Sequence, residues 1–186
     1  MKDNIAIDGA GYTLQGTTSI IQGIRLYGRV GVTVQNIKIK GFQNGIVLDG
    51  YSNNTSIFGN TITNTNNGIW LKYSSSNSIS GNNIANNEYN IRLEYSSSNN
   101  ISGNTITNYR GIYLYNSSRN SINRNAITTT YYGIWLYYYA NFNSISGNNV
   151  TANNDTGIMV SDSSNNRING NNIANNGQGI SLGAVC

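Results

Sequence analysis

Histidine is absent from this 186-residue sequence, so its ionisable chemistry rests on seven carboxylates and eleven Lys and Arg residues. Three of these fall at matched intervals: Asp49, Lys72 and Glu94, 23 and 22 positions apart. Each directly follows a phrase of the form Gly/Asn-Ile-x-Leu. Two carboxylates around a cation are the minimum set for cleaving a polysaccharide, as a hydrolytic acid–base pair or as a lyase with Lys72 as base. A second set offers recognition. Trp70, Arg92, Tyr113 and Trp135 occupy the x of successive phrases, and Tyr115 and Tyr137 follow the Leu of two of them. Aromatic rings in a row stack against pyranose faces, and Arg can hydrogen-bond hydroxyls.

Both sets depend on a repeat. The phrase Gly-Ile-x-Leu starts at Gly23, Gly45, Gly68, Gly111, Gly133 and Gly179, with variants at Asn90 and Gly157. The steps between starts are 22, 23, 22, 21, 22, 24 and 22 residues, a spread that a solenoid absorbs and a packed bundle does not. A second phrase, Ile-x-x-Asn-x-Ile or Val, follows in six consecutive repeats, with its Asn at 60, 82, 104, 125, 148 and 171. Apolar residues alternate within each phrase, the period of a strand with one buried face, and helical stripes are absent. Each repeat therefore holds three short strands, and stacked repeats form three parallel sheets at about 4.8 Å spacing. Ile24, Ile46, Ile69, Ile91, Ile112, Ile134, Ile158 and Ile180 form one inward ladder.

The Asn residues have a structural task in this scheme. Dipeptides such as Gly59-Asn60 and Gly81-Asn82 turn the chain between strands, where both residue types tolerate left-handed angles. Their side chains can also hydrogen-bond from coil to coil. The two candidate sets have structural readings as well. An aromatic row stabilises a sheet without any ligand. The sequence −, +, − at Asp49, Lys72 and Glu94 avoids like charges on neighbouring coils and lets Lys72 bridge both acids. Across two coils the acids stand roughly 9.6 Å apart, at the upper edge of inverting-glycosidase geometry, about 6.5–9.5 Å. No long insertion supplies a loop to wall such a site.

"NIAIDGAGYTLQG" (residues 4–16) followed by repeats of the pattern GIxLxxSSxNxIxGNxI resembles the NosD-like parallel β-helix repeat proteins, of the wider carbohydrate-binding and sugar-hydrolase group. The resemblance runs from Asn4 to about Leu182. It implies an all-β, right-handed, single-stranded parallel β-helix with about 22 residues and three strands per coil. It also implies that the Gly-Ile-x-Leu sheet is the one that carries the carbohydrate cleft in β-helix pectinases. Copper binding, sometimes attached to NosD, finds no donors: no His, one terminal Cys and two Met.

The expectation is one domain, residues 1–186, of roughly eight coils, possibly cut from a longer solenoid. It is a non-catalytic extracellular or cell-surface module that binds polysaccharide, or serves as a spacer, through Trp70, Arg92, Tyr113, Trp135, Tyr115 and Tyr137. The alternative is a lyase or glycoside hydrolase using Asp49, Lys72 and Glu94. No cofactor and no metal site are expected. A net charge of +4 without a basic run excludes a nucleic-acid footprint, and no apolar stretch spans a membrane. The strand-like ends predict end-to-end pairing of copies, with Cys186 able to trap a disulfide dimer.

Overall fold

The computed structural model describes residues 4–17 and 21–183, and all regular structure within them is strand. Each coil passes through three sheets. Sheet A collects the Ser-Ile segments, such as Ser78–Ser80, in eight strands. Sheet B takes the strand after the Asn, such as Asn83–Ala85, and sheet C takes the Gly-Ile-x-Leu strand, such as Asn67–Lys72. All pairing is parallel, and the hydrophobic pattern fixes its register. Ile57, Ile79, Ile101, Ile122 and Ile145 align in sheet A, and Ile46, Ile69, Ile91, Ile112, Ile134 and Ile158 in sheet C. A slip of one residue would turn every Ile outward, so the register is strongly held. These ladders fill the tube, and both are fully buried over coils 3 to 7. In the eighth coil Ile180 and Leu182 keep the register but are 49 % and 76 % exposed. Cys186 lies outside the described residues.

The sharp turn between sheets A and B divides its work between two residues. Gly59, Gly81, Gly103, Gly147 and Gly170 take the left-handed conformation at φ 61–65°, and Arg124 takes it in the sixth coil. The following Asn does not, which corrects the expectation that both residues would. Asn60, Asn82, Asn104, Asn125 and Asn148 instead turn into the tube and are buried. Asn82 Oδ1 accepts from the backbone N and the Nδ2 of Asn60, both at 3.0 Å. Asn82 Nδ2 donates to Ile57 O and Asn104 Oδ1, again at 3.0 Å. The pattern repeats through Asn104, Asn125, Asn148 and Asn171. A buried amide is costly unless its donors and acceptors are paired, and here each coil satisfies the previous one. A second ladder, Asn77, Asn99, Asn120, Asn143 and Asn166, joins backbone N to side-chain Oδ1 from coil to coil where sheet C leads into sheet A, leaving the Asn77 Nδ2 without a partner.

The corner between sheets B and C is less regular. Its buried ladder joins Thr65 to Asn87 and then Thr130 to Asn153 and Asn176, with a gap at the fifth coil. Ile84 and Ile91 are seven positions apart, but Ile106 and Ile112, their neighbours one coil on, are six apart. The shorter path leaves no room for a corner, and one strand, Thr105–Tyr115, serves both sheets. The same step explains why Asn90 replaces glycine. At Gly45 an added Cβ would lie 2.5 Å from Gly68 O, too close for any side chain. Asn90 faces the shortened coil instead, and its Nδ2 donates to the carbonyls of Asn108 and Arg110, each at 2.8 Å. The missing residue and the Gly-to-Asn change compensate each other.

Candidate functional site on the outer face of sheet C

Alternation along each sheet C strand sends Ile and Leu inward and the residue between them outward. The outward residues stack in register: Val47, Trp70, Arg92, Tyr113, Trp135 and Met159. Two positions further on, Lys72, Glu94, Tyr115 and Tyr137 form a second row. The sheet thus brings all six expected binding residues onto one face.

Their environments differ. Trp70, Arg92, Trp135, Tyr115 and Tyr137 are half-buried, whereas Tyr113 is only 9 % exposed. Tyr113 points outward but is roofed by Tyr89 and Trp135, with ring centroids at 5.4 and 5.0 Å. That burial pushes its phenol pKa well up. Arg92 lies between two rings, 5.1 Å from Trp70 and 4.8 Å from Tyr89, and Arg110 covers Tyr89 at 4.7 Å. Guanidinium over aromatic faces gives a flat, rigid platform. The indole N–H groups of both Trp70 and Trp135 are buried without a hydrogen-bond partner.

Asp49, Lys72 and Glu94 share the face but not a site. Asp49 binds Arg25 at 3.2 Å. Glu94 is held by Arg92, whose Nε donates to Oε1 at 2.9 Å and whose Nη2 donates to the same oxygen. Lys72 bridges neither acid: its Nζ sits 5.7 Å from the rings of Trp70 and Tyr73. The expected −, +, − bridge is therefore replaced by two Arg–carboxylate pairs and a cation on aromatic rings. The physical reason is reach. Arg25 and Arg92 present planar forks to the carboxylates, and Lys72 finds its partners in the rings beside it.

The sequence reading passed over a second aromatic row. Tyr73 and Tyr95 stack at 5.0 Å with planes 12° apart, and Tyr115 and Tyr138 at 5.4 Å and 13°. Tyr73, Tyr95 and Tyr138 all take positive φ, near 50°, where the chain leaves sheet C. The signal was present: Tyr73 and Tyr95 each stand two places after the Leu of the repeated phrase, 22 residues apart. Tyr89 and Tyr132 were missed as well, because they stand directly before the phrase and two coils apart, with Arg110 between them. They widen the platform toward sheet B.

Comparison with known proteins supplies the fold's relatives. A family model described as periplasmic copper-binding protein (NosD) matches residues 5–142 and 89–185. No curated protein sequence matches the chain. Among solved structures, an alginate lyase from Paenibacillus sp. str. FPU-7 is similar at TM-score 0.59 and 15 % identity, over 94 % of this chain and 80 % of that one. The DFA-IIIase mutant C387A from Arthrobacter chlorophenolicus A6 in complex with DFA-III is similar at 0.58 and 13 %, over 79 % and 48 %. The Dettilon tailspike protein is similar at 0.54 and 17 %, over 92 % and 46 %. This chain thus spans about half the length of the last two, and likeness at such identities is likeness of fold.

Copper, which the family's description implies, does not fit the residues present. The sequence has no imidazole, and Met159 stands as a lone thioether on sheet C. Among the described residues no three carboxylates or thiols gather as a metal site. With its fold, its repeat and the family match over most of its length, the chain belongs to the NosD family of parallel β-helix proteins.

Proposed function

We propose that the outer face of sheet C binds a polysaccharide without cleaving it, in an extracellular or cell-surface protein. The observation that carries the reading is the half-buried platform of Trp70, Arg92 and Trp135, flanked by Tyr89, Tyr115 and Tyr137. Flat ring faces repeated at the coil spacing suit successive sugar rings better than a compact ligand. Each Arg of the platform already holds a carboxylate, which leaves Lys72, among the described residues, as the one cation of the face outside an ion pair and favours a neutral glycan over a polyanion. The carbohydrate ligand of the DFA-IIIase and the substrate of the alginate lyase belong to those proteins and support only the ligand class.

A glycan array followed by affinity electrophoresis tests the reading. The wild-type chain should retain at least one neutral polysaccharide, and Trp70→Ala with Trp135→Ala should lose about 1–3 kcal/mol per ring, by analogy with base stacking. Unchanged retention in the double variant would sink it. New reducing or unsaturated ends, released by wild type and not by Glu94→Gln, would move the assignment to a hydrolase or lyase centred on Asp49, Lys72 and Glu94.

A further inference from the structure

The shortened turn of the fifth coil leaves a recess at the B–C corner. The sheet B to sheet C step is seven positions in the fourth and sixth coils, six in the fifth (Ile106 to Ile112) and eight in the seventh (Val150 to Ile158). At this irregularity lies a cavity of about 300 Å³ lined by Tyr109, Arg110, Tyr131 and Tyr132. Two of its walls are aromatic rings that have not closed on each other. Tyr73 and Tyr95 stack directly on adjacent coils, but Tyr109 and Tyr131 are each 57 % exposed and pair with no other ring among the described residues. Their backbones are nonetheless joined, Tyr131 N donating to Tyr109 O. Asn108 and Tyr109 are both left-handed, at φ 65° and 57°, a conformation that disfavours a bulky side chain.

The polar groups complete the recess. The Arg110 guanidinium is fixed by Glu88 at 3.1 Å and by the face of Tyr89. Burial, then the Asp155 carboxylate that accepts its hydrogen bond, raises the Tyr132 phenol, whose oxygen is left to accept a hydrogen bond from a sugar hydroxyl. Tyr132 also touches Trp135, ring centroids 5.1 Å apart, so the recess opens onto the sheet C platform.

We propose that this recess is a subsite for a single neutral pyranose ring, held between Tyr109 and Tyr131 and hydrogen-bonded by Arg110 and Tyr132. The volume sits at the small end of ligand cavities, about 300–1,000 Å³, which suits one sugar ring and not a chain. Two separated phenol faces match the C–H faces of such a ring. Because Arg110 already has its carboxylate, a neutral sugar fits better than a uronate. The inference rests on the glycan reading above, with the recess taking a terminal or branch residue of a chain lying on sheet C.

The test uses the whole chain with ¹³C-labelled tyrosine, titrated by NMR with the methyl pyranosides of glucose, mannose and galactose. At least one should shift the Tyr109 and Tyr131 ring signals saturably, and Tyr131→Ala should weaken that binding about tenfold, the effect of losing one stacking ring. Phe58→Ala, an exposed ring on sheet A outside both the recess and the platform, should leave it unchanged. The proposal is overturned if none of the three moves either ring, if Tyr131→Ala binds equally well, or if methyl galacturonoside binds more tightly than all three. Failure of the platform reads out separately, as polysaccharide retention that survives loss of both Trp residues.

Discussion

The buried Asn ladder at the A–B corner and the aromatic row on the outside of sheet C are built from the same repeat, yet they answer to different constraints. In the ladder each amide is enclosed and each donor finds an acceptor one coil away. Substitution there is nearly forbidden, and six successive coils keep Asn. On sheet C the outward position changes from Val47 to Trp70, Arg92, Tyr113, Trp135 and Met159, and two indole N–H groups go unpartnered. A satisfied interior ladder holds the fold, and the freedom of the outer row is where a binding surface can be written.

The largest test of that contrast goes through the interior. Ile134→Asn would bury an unpaired amide among apolar neighbours, and we expect a loss of about 4 kcal/mol or more and cooperative unfolding by calorimetry. A melting midpoint within a degree or two of wild type would mean the inward face is misassigned. Asn104→Ala is next. It strips Asn82 N of its acceptor, Asn82 Nδ2 of one of its acceptors and Ile79 O of a donor, so denaturant titration should register about 2–4 kcal/mol. Asn171→Ala, in the part-exposed last coil, should cost under about 1 kcal/mol. Equal losses at the two sites would show that coil-to-coil satisfaction is not the source of the effect.

A smaller effect follows pH. The folded Tyr113 phenol lies above its unfolded value of 10.0 because burial opposes its charge. Its contribution to stability is complete below that unfolded value and declines as pH rises toward the folded one. Thermal melts should therefore fall above about pH 10, and Tyr113→Phe should flatten part of the fall; an unaltered slope in the variant would assign it to other groups. Smallest of all is the stability change on the platform. Trp70→Ala with Trp135→Ala should shift folding by about 1 kcal/mol, since both rings are half in water. A large loss would make the row a structural element in its own right.

The coil, the sheets and the inward Ile residues were legible because strand alternation and the 22-residue step both follow from which side chains must leave water. The Asn ladder was readable as a ladder, but the split between a left-handed Gly and an inward Asn was not, because the two residues are equally common at turns. The candidate platform was half visible. Trp70, Arg92, Tyr113 and Trp135 fall in consecutive coils inside the repeated phrase, whereas Tyr89 and Tyr132 share a position two coils apart, and Tyr109 lies outside the phrase. Glu94's pairing with Arg92 instead of with a bridging Lys72 depends on side-chain reach, which spacing does not encode. The corner recess was hidden for a related reason. A one-residue shortening looked like noise in the period, and only the path of Thr105–Tyr115 turned it into a shape.

The Asn amides also give the tube a direction. Every Oδ1 in the A–B ladder, from Asn60 to Asn171, faces the preceding coil, and every Nδ2 from Asn60 to Asn148 donates to the next Asn. The side-chain dipoles therefore lie head to tail, and each polarises its neighbour in the low-dielectric interior. Their negative pole points toward the N-terminal coils and their positive pole toward the C-terminal ones, the reverse of an α-helix along the chain. The protein is in this respect a small electret whose polarity is set by asparagine side chains.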